Sequence, residues 1–534
     1  MPAFRPKDVC VVIPTRRRWD MLERTLHSLR NQTVPGAEII VLADAPEDEE
    51  HNLEGARLIK RPDTGVSERR NLGASTTDRK LILLLGDDTI PAPDLIERHL
   101  VRHNQDPDRT VAILGKIDWH PEVAGNALLS WLDRSGLQFD YASITNGDAG
   151  WARFYASNLS IKRDLFLEVG GFDEDFIFTY EDLDVGLRLG EAGMRLLYEP
   201  DARVFHHHIY DLDGLRRRFE ATAEGEWLMI KKHPDFPAFF EPRLEQAERA
   251  PKASSLWPLV VDRIPEGNAL RRRAEARAHV WYLQQVAGPF LARWEGQRDK
   301  EELIEYLGPE YDENMLRRHE ALIEEEFDAA PSEEEFYRTS KMYLYDLTIF
   351  AMSGTKRPYR QALKGLVKPG ARLLDWGCGI GADGLRFTDD GYKVAFADFD
   401  NPSTAFLRWR LKKRNLEADV YDIASDDIPG GFDAAYSFDV IEHVDDPIAF
   451  LEELEKRARI VMVNLLEPDP NDIHLHKPLP IKELIARAES KGLVYYRNFY
   501  GRSHLIAYRS GAKASLAGRA IGRARRWLAD PYPG

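Results

Sequence analysis

Short apolar runs that lack polar alternation constrain the fold of this chain more than any other feature. In the first 210 residues they read "DVCVVIPT", "AEIIVLAD", "ARLIKRP" and "RKLILLLGDD", and from residue 371 onwards they read "ARLLDWG", "YKVAFADFD" and "RIVMVNLLE". Such runs are typical of strands covered on both faces, and segments with helical spacing lie between them. We therefore predict two α/β regions with mostly parallel sheets.

The stretch between the two α/β regions has helical periodicity and no strand signal from about residue 215 to 341. At 534 residues the chain is too long for one typical core. We predict an α/β domain at 1–214, a helical connector at 215–345, a second α/β domain at 346–510 and a basic tail at 511–534. The connector is either a spacer with solvated faces or a segment that binds the acceptor or forms oligomers.

Composition excludes several classes of protein. The net charge of −16 argues against a nucleic-acid binder, which needs a basic field. The two cysteines, Cys10 and Cys378, are too few for a disulfide framework and fit a reducing cytoplasm. No apolar run approaches the roughly 20 residues that cross a bilayer. A strand pattern begins within the first ten residues, so we expect no signal peptide and a cytoplasmic protein.

The run "LILLLGDDTIP" ends in two adjacent carboxylates, Asp87 and Asp88. Open α/β sheets bind ligands beyond the carboxyl ends of their strands, and Asp44 follows another strand in the same way. A divalent cation with a bound diphosphate would explain the adjacent carboxylates, because hard oxygen ligands suit Mg²⁺ or Mn²⁺. A turn or a helix N-cap is the alternative, and these residues alone leave both open.

Five motifs in order place the first region in a known family. The sequence reads "VVIPTRRRWDMLERTLHSLRNQT", "GVSERRNLGAS", "LLLGDDTIPAPDLIERHL", "SNLSIKRDLFLEVGGFDEDF" and "YEDLDVGLRL". Over roughly residues 8 to 220 this series resembles the family-2 inverting glycosyltransferases of the GT-A fold. The resemblance implies a nucleotide-diphospho-sugar donor and a glycan or lipid-linked glycan acceptor.

The resemblance also implies donor and metal ligands. The last Asp of the family's metal-binding DXD motif matches Asp88, whereas Gly86 stands at its first acidic position. Adjacent histidines follow a strand in "VFHHHIY", where His206 and His208 share a face. Related enzymes complete the Mn²⁺ or Mg²⁺ site with such a histidine, so we assign both to the metal with His206 as first choice. The predicted donor-binding residues are Thr15, Arg17, Asp44, Arg70, Asn71, Asp87 and Asp88.

The family's catalytic Glu-Asp motif matches Glu181 and Asp182 in "YEDLDVGLRL". An inverting transfer needs a carboxylate that takes the proton of the acceptor hydroxyl, and we assign this base to Asp182. Acidic residues at a helix N-terminus are also an ordinary complement of the helix dipole, which is the alternative interpretation.

In the second region, "LLDWGCGIGADG" places Gly377, Gly379 and Gly381 where a strand turns into a helix. Glycines there let a ligand approach the backbone and the free N–H groups of the helix. Asp398 closes the next strand at about the 20-residue spacing at which a carboxylate binds ribose hydroxyls. This pattern fits a dinucleotide as well as it fits S-adenosylmethionine.

The ordered motifs "LLDWGCGIG", "VAFADFD", "YDIASDDIP" and "FDAAYSFDVIEHVDDP" resemble class I S-adenosylmethionine-dependent methyltransferases across residues 355 to 510. The fold implied is Rossmann-like. The resemblance assigns the ribose to Asp398, the adenine edge to Asp422, and the methionine part to Asp375 and to 377–381, which include Cys378. It places Glu442 and His443 near the mouth of the site. His443 either deprotonates a sugar hydroxyl or only forms local hydrogen bonds.

Together the two resemblances imply a bifunctional enzyme that extends and O-methylates one glycan, in the context of bacterial surface polysaccharide. In one rival interpretation the N-terminal region is a nucleotidyltransferase. In another, the N-terminal domain has lost its activity and serves as a scaffold, as Gly86 in place of an acidic residue would suggest. A further hypothesis concerns the tail, which could dock on the membrane as a basic amphipathic helix or be a solvated segment. Its residues of interest are Lys513, Arg519, Arg523, Arg525, Arg526 and Trp527.

Overall fold

The structure, a computed structural model, describes residues 3–46, 53, 55–467, 476–511 and 514–529. The chain divides into two compact units, Met1–Trp294 and Glu295–Gly534. The predicted boundaries after residues 214, 345 and 510 stay predictions, and Lys513 of the tail lies outside the described residues. In the described part of the chain, no helix combines the length and apolar character that crossing a membrane requires.

Strands and helices alternate in the first unit, as the apolar runs predict. In chain order the elements are β1 (Val9–Thr15), α1 (Trp19–Arg30), β2 (Glu38–Ala43), β3 (Arg57–Lys60), α2 (Val66–Thr76), β4 (Leu81–Leu85), β5 (Thr89–Pro91), α3 (Leu95–Gln105), β6 (Val111–Trp119), α4 (Ala127–Ser135), β7 (Asn158–Lys162), α5 (Arg163–Glu168), α6 (Glu181–Glu191), β8 (Arg195–His206), α7 (Leu212–Lys232), α8 (Phe240–Arg249), α9 (Leu256–Val260) and α10 (Ala269–Leu307), which contains the division between the units.

The sheet of the first unit contains both parallel and antiparallel pairs of strands. Its order among the described residues is β3-β2-β1-β4-β7-β6-β8-β5. The pairs among β1 to β4 are parallel, whereas β7 is antiparallel to both of its neighbours and β5 is antiparallel to β8. Strand β6 is parallel to β8, so the antiparallel pairs are those of β5 and β7.

Both faces of the central strands are buried, which explains the unbroken apolar runs. Along β1, Cys10 and Val12 belong to one core cluster, and Val11 and Ile13 belong to the cluster on the opposite face. Successive strand side chains point to opposite faces, so both sets must be apolar when helices cover each side. Helix α1 buries one stripe of side chains, Leu22, Thr25, Leu26 and Leu29.

The second unit contains the second α/β pattern, preceded by short helices. Its elements in chain order are α11 (Glu313–Arg317), α12 (His319–Ala329), α13 (Glu333–Thr339), α14 (Met342–Ser353), α15 (Arg357–Lys364), β9 (Arg372–Trp376), α16 (Ala382–Asp389), β10 (Lys393–Asp398), α17 (Pro402–Lys413), β11 (Val420–Asp422), β12 (Phe432–Ser437), α18 (Pro447–Arg457), β13 (Ala458–Leu466), α19 (Ile481–Lys491), β14 (Leu493–Phe499), β15 (Ser503–Arg509) and α20 (Leu516–Trp527).

The sheet of the second unit has the order β11-β10-β9-β12-β13-β15-β14 within the described residues. The first five of these strands pair in parallel, and β14 and β15 form an antiparallel hairpin. Between β8 and β9 the described chain has helices and no strand, which confirms a helical region between the two sheets. The α/β class of both regions is likewise confirmed.

A buried network of ion pairs holds the C-terminal part of α10 within the second unit. Asp299, which is 1% exposed, accepts hydrogen bonds from Arg386 of α16 and Arg410 of α17. Glu302 accepts from Arg410 Nε at 2.7 Å and from Arg414 Nε at 2.8 Å. Although burial opposes ionisation, the two guanidinium groups keep the pKa of Asp299 below its usual range.

Glu295, one turn before Asp299, extends this network towards α15. Arg357 donates to one of its carboxylate oxygens, and Arg360 and Arg386 donate to the other at 2.6 and 2.7 Å. Burial alone would raise the pKa of Glu295, but the three guanidinium groups hold it at about 2. Helix α10 is therefore anchored in this unit by charge as well as by apolar packing.

Candidate active sites

The carboxyl ends of β2, β1 and β4 open onto a cavity of about 710 Å³ in the first unit. Because these strands are parallel neighbours, the residues that follow each of them meet at one edge of the sheet. The N-terminus of α6 and the end of β8 complete its wall. The polar residues that line it include Thr15, Arg16, Arg18, Asp44, Arg69, Arg70, Asp87, Asp88, Glu181, Asp182, His206 and His208.

The two adjacent carboxylates differ in their surroundings. Asp87 faces the end of β1, where it accepts a hydrogen bond from Thr15 Oγ1 at 2.7 Å. Its burial and the neighbouring Asp88 raise its pKa. Asp88 faces His206 and His208, which, together with a nearby guanidinium group, hold its pKa well below the usual range against the effect of burial. Asp88 is thus the carboxylate that remains charged beside the histidines.

Strand β5 brings Asp88 to the histidines. It pairs with β8 in a register that places Thr89 opposite His206. His206 Nε2 lies 3.3 Å from Asp88 Oδ1, and His208 Nδ1 lies 3.4 Å from Asp88 Oδ2. Because strand side chains alternate, His207 points away and contacts Glu122 at 2.9 Å. Asp88, His206 and His208 each offer one ligand atom, and these three atoms lie within 4.8 Å of one another, which suits a single metal ion.

Arg18 is a residue of this site that the sequence analysis missed. Its guanidinium lies across both carboxylates, donating from Nε to Asp87 at 3.1 Å and from Nη1 to Asp88 at 2.6 Å. Three arginines follow β1 in succession, and their spacing does not tell which one enters the cavity. The structure places Arg16 and Arg18 on the cavity wall and the predicted Arg17 on the exposed surface outside it.

Gly86, at the first position of the DXD motif, stands close to Asp88 and Thr89. A Cβ atom at this position would lie 3.1 Å from Asp88 Oδ1 and 3.3 Å from Thr89 Cγ2. Both contacts are tighter than ordinary van der Waals separation, so a side chain here would require these neighbours to shift by a few tenths of an ångström.

Asp182 stands in the first turn of α6, beside Glu181 and Arg70. Arg70 Nη1 lies 3.1 Å from Glu181 Oε1 and 3.3 Å from Asp182 Oδ1. The N–H of Ala156 donates to Asp182 Oδ2 at 3.0 Å. Burial, with a further contribution from the Glu181 charge, raises the pKa of Asp182 to about 7 against the effects of Arg70 and the Ala156 N–H. A carboxylate with this pKa can take a proton near neutral pH.

The turn that leads into α6 is strained. Thr179 and Tyr180 both adopt left-handed backbone conformations, with φ angles of 63° and 64°. Helix α7 holds them there, because Thr179 Oγ1 donates to the carbonyl of Ala221 at 3.2 Å and the Tyr180 hydroxyl donates to Glu226. Strained non-glycine residues persist only where the surrounding structure fixes them, and they cluster at functional sites.

Two other predicted donor residues, Asp44 and Asn71, differ in their positions. Asp44 lines the cavity, where it lies 3.2 Å from Arg16 Nε and accepts the Asp63 N–H at 2.9 Å. Asn71 instead points to a neighbouring loop, where it donates to the carbonyl of Phe172 at 2.9 Å and accepts the N–H of the same residue. Its position therefore orders that loop rather than the cavity wall.

The second unit has its own cavity of about 690 Å³ at the carboxyl ends of β9, β10 and β12. Asp398 at the end of β10 accepts hydrogen bonds from the Gly379 N–H at 2.6 Å and the Phe399 N–H at 2.7 Å. Burial raises the pKa of Asp398 to about 6 although both N–H groups favour the charged form. The predicted residues Asp375, Gly377, Cys378, Gly379, Asp398 and His443 all line this cavity.

Asp375 of this cavity and two further predicted residues of the second unit have distinct surroundings. Burial and the neighbouring Asp383 raise the pKa of Asp375 to about 8, which favours its protonated form. Gly381 caps the N-terminus of α16 with a φ of 70°. Asp422 pairs with Asp398 in the β10–β11 register but turns back to the Ala424 N–H at 3.0 Å, and it does not line the cavity.

Two family models match the two regions. One is described as "Glycosyl transferase family 2" and matches residues 10–155, and the other is described as "Methyltransferase domain" and matches residues 352–500. The first match contains the strands that carry Asp44, Asp87 and Asp88, and the second contains the glycine turn and Asp398. The matches confirm the GT-A-like class of the first sheet and the methyltransferase class of the second.

Curated relatives agree with each match. Over 42% of its length the chain is 27% identical to a glucosyl-dolichyl phosphate glucuronosyltransferase of Haloferax volcanii, and over 43% it is 31% identical to a pre-mycofactocin glycosyltransferase of Mycobacterium tuberculosis. Over 28% it is 30% identical to a ubiquinone biosynthesis O-methyltransferase of Xanthomonas campestris. The chain spans 73%, 49% and 64% of the lengths of these three relatives.

Proposed function

We propose that this chain is a transferase with two activities, both acting on glycans, because a model of glycosyl transferase family 2 matches its N-terminal part and a methyltransferase-domain model matches its C-terminal part. The first transfers a sugar from a nucleotide-diphospho-sugar with inversion, and the second O-methylates a glycan with S-adenosylmethionine. The observation that carries the first proposal is Asp182, a carboxylate with a pKa of about 7 in the same cavity as Asp88 and the histidines.

In the proposed sugar transfer, Asp182 accepts the proton of the acceptor hydroxyl while the oxygen attacks the anomeric carbon from the face opposite the leaving diphosphate. Arg70 and the Ala156 N–H hold the carboxylate in place. Arg70 also keeps Glu181 turned towards it, so the two acids share one guanidinium. A nucleotidyltransferase would not need this base, which favours sugar transfer over that rival.

The residues at the strand ends fit a divalent cation. Asp88, His206 and His208 would hold Mn²⁺ or Mg²⁺, because each offers a ligand atom and the three atoms lie within 4.8 Å of one another. A bound cation supplies Lewis-acid stabilisation of the departing diphosphate. Arg18 is positioned to contact the same phosphates, since its guanidinium already lies beside both carboxylates.

Stabilisation by donor tests this proposal, because a ligand that binds the native state raises apparent stability. We expect at least one uridine, guanosine or thymidine diphospho-sugar to raise the melting temperature only when Mn²⁺ is present. His206→Gln should lose this effect, whereas the matched variant His207→Gln should keep it, because His207 points to Glu122 instead. Equal stabilisation in the presence of a chelator would remove the metal role of Asp88 and His206.

The second cavity fits S-adenosylmethionine. A buried carboxylate, Asp398, closes the second strand at the cavity wall, and the backbone of 377–379 lines the adjoining turn. S-adenosylmethionine supplies a methyl group bound to a sulfonium sulfur. We assign its ribose to Asp398 and its methionine part to the glycine turn, while Asp422 remains a weaker assignment for the adenine edge because it turns away from the cavity.

The acceptor that we propose is a lipid-linked glycan of a surface polysaccharide, with a cytoplasmic enzyme at the inner face of the membrane. A relative named for action on a glucosyl-dolichyl phosphate supports this class of acceptor. The two cysteines, Cys10 and Cys378, are both buried free thiols, which supports a reducing compartment.

Helix α20 supports membrane contact. Gly522 faces Leu493 of β14, and Arg526 lies 3.2 Å from Glu489, so one side of the helix docks on the domain. The other side exposes Leu516 and Trp527, at 79% and 86%. A helix with an exposed apolar stripe and several arginines suits an anionic lipid surface.

We expect the full chain to bind phosphatidylglycerol vesicles in a salt-sensitive manner in a sedimentation assay, and to bind phosphatidylcholine vesicles weakly. Trp527→Ser with Leu516→Ser should abolish the binding. The control Leu270→Ser, which removes an exposed leucine of α10, should not. No binding of the wild-type chain at low salt would dispose of the membrane role.

A further inference from the structure

A second group of metal-ligand side chains lies at the proposed methyl-transfer cavity. Glu442, His443 and His476 each offer one ligand atom, and the three atoms lie within 4.8 Å of one another. We propose that they bind a divalent transition-metal ion, with Zn²⁺ the first to test, and that this ion binds the hydroxyl group to be methylated. The role in methylation rests on the proposed function, whereas the metal site itself is tested separately.

The ligand set indicates the class of ion. Two imidazoles and one carboxylate are the protein ligands of catalytic zinc sites of the His₂Glu type, in which a further coordination position stays open for water or substrate. Imidazole nitrogen favours zinc and other first-row transition ions over Mg²⁺, which prefers oxygen ligands. The cluster has the same two-imidazole, one-carboxylate composition as Asp88, His206 and His208, and its carboxylate, Glu442, is 1% exposed.

The surroundings orient the ligands towards one another. The Tyr337 hydroxyl lies 3.1 Å from His443 Nδ1, a contact that fixes the orientation of this ring and leaves Nε2 for a metal ion. The ring centroids of His443 and His476 are 5.0 Å apart in an edge-on arrangement. When a histidine binds a metal ion, its other ring nitrogen commonly forms a hydrogen bond like that of His443 with Tyr337, which fixes the orientation of the ring.

The backbone of the two ligating segments is tied together as well. The Lys477 N–H donates to the carbonyl of Glu442 at 2.7 Å, and Lys477 Nζ donates to the carbonyl of His443 at 3.2 Å. The lysine ammonium also contacts Glu333 at 2.9 Å and Asp445 at 2.9 Å. His476, which precedes Lys477, is thereby held next to the short helical turn that carries Glu442 and His443.

The position of the cluster suggests its use. His443 lines the cavity that also contains Asp398 and the glycine turn. A metal ion lowers the pKa of a bound hydroxyl. The acceptor O–H bond would break with loss of its proton to water at the cavity mouth. Its oxygen would then bond to the methyl carbon as the carbon–sulfur bond breaks and the electron pair passes to sulfur. The products are a methyl ether and S-adenosylhomocysteine, and His443 acts as a ligand instead of the base.

Metal stoichiometry in the full chain tests the site. Because Asp88, His206 and His208 form another candidate site, the background for the test is the His206→Gln, His208→Gln double variant. We expect it to bind one equivalent of Zn²⁺ in equilibrium dialysis and to give a visible Co²⁺ spectrum that Zn²⁺ abolishes. Adding His476→Gln should remove both signals while S-adenosylmethionine still binds. Tyr337→Phe should weaken Zn²⁺ binding by about tenfold or more, as loss of an orienting contact does.

A matched control comes from a third cluster, His120, Glu122 and His207, in which Arg24 already contacts the carboxylate at 3.1 Å. His120→Gln in the same background should leave the Zn²⁺ equivalent unchanged. The proposal is overturned if the background variant binds no Zn²⁺, or if His476→Gln leaves the stoichiometry and the Co²⁺ spectrum as they were. If the wild-type chain did not bind S-adenosylmethionine, that result would contradict the methyltransferase function and not the metal site.

Discussion

Replacement of Asp182 by Asn should lower sugar transfer by about 10²- to 10⁴-fold, the contribution typical of a positioned general base. The amide keeps the shape of the side chain but cannot take the acceptor proton. Binding of the nucleotide-diphospho-sugar should persist, because Asp88 and the histidines are unchanged. Initial rates of nucleoside diphosphate release in the presence of acceptor, together with donor titration, measure the two effects separately.

The pH dependence of the same reaction gives an independent check. Because the basic form of Asp182 is needed and its pKa is about 7, kcat/KM should rise with pH through that value and level off above it. Glu181→Gln removes a charge that raises this pKa, so the rise should move to lower pH. Glu191→Gln at the other end of α6 should leave it in place. A flat profile from pH 5 to 9, or an active Asn variant, would contradict the assignment of the base.

Removal of Asp299 should destabilise the methyltransferase unit by about 3–5 kcal/mol, the usual cost of breaking a buried ion pair by deleting one partner. Asp299→Ala leaves Arg386 and Arg410 without the carboxylate they share, and Arg410 is fully buried. Chemical denaturation, followed by the loss of S-adenosylmethionine binding, measures the effect.

Glu305→Ala is the matched control for this prediction. Glu305 stands further along α10 and pairs with Lys413, but its side chain is 59% exposed. Exposed pairs contribute at most about 1 kcal/mol, so its removal should change stability little. Similar losses for the two variants would show that burial of the network is not what stabilises this helix.

The sequence predicts those parts of the structure that depend on apolar periodicity and on strand ends. Parallel neighbours β2, β1 and β4 place Asp44, Asp87 and Asp88 at one edge, as expected from runs that each end in a polar residue. The alternation of strand side chains also predicts that His206 and His208 share a face. Both contact Asp88 in the structure, whereas their role as metal ligands stays a prediction.

The antiparallel strands could not be predicted in the same way. Strand β7 buries Ser160 and Lys162, whose polar groups are satisfied by His99 and His103 of α3, so no apolar run marks it. Strand β5 has three residues and ends in Pro91, yet its register with β8 positions Asp88 beside the histidines. Such pairings depend on contacts between residues distant in sequence, which local periodicity does not contain.

The sequence also could not predict which side chains of a charged run enter a site or become buried. Three successive arginines follow β1, and only tertiary packing directs Arg18 rather than Arg17 to the carboxylates. The charged face of α10 is compatible with a solvated spacer, but Asp299 and Glu302 are buried against arginines more than 80 residues away. The same charged composition is compatible with a solvated face and with a face buried against arginines. Only the tertiary contacts of the helix decide between the two.

The central claim is that one chain holds two separate transferase sites, and crossed ligand titrations test it most directly. A nucleotide-diphospho-sugar with Mn²⁺ and S-adenosylmethionine are each titrated into the wild-type chain, His206→Gln and Asp398→Ala. We predict that His206→Gln loses only the nucleotide sugar and that Asp398→Ala loses only S-adenosylmethionine. If either substitution abolished binding of both ligands in a folded protein, the account of two independent sites would be wrong.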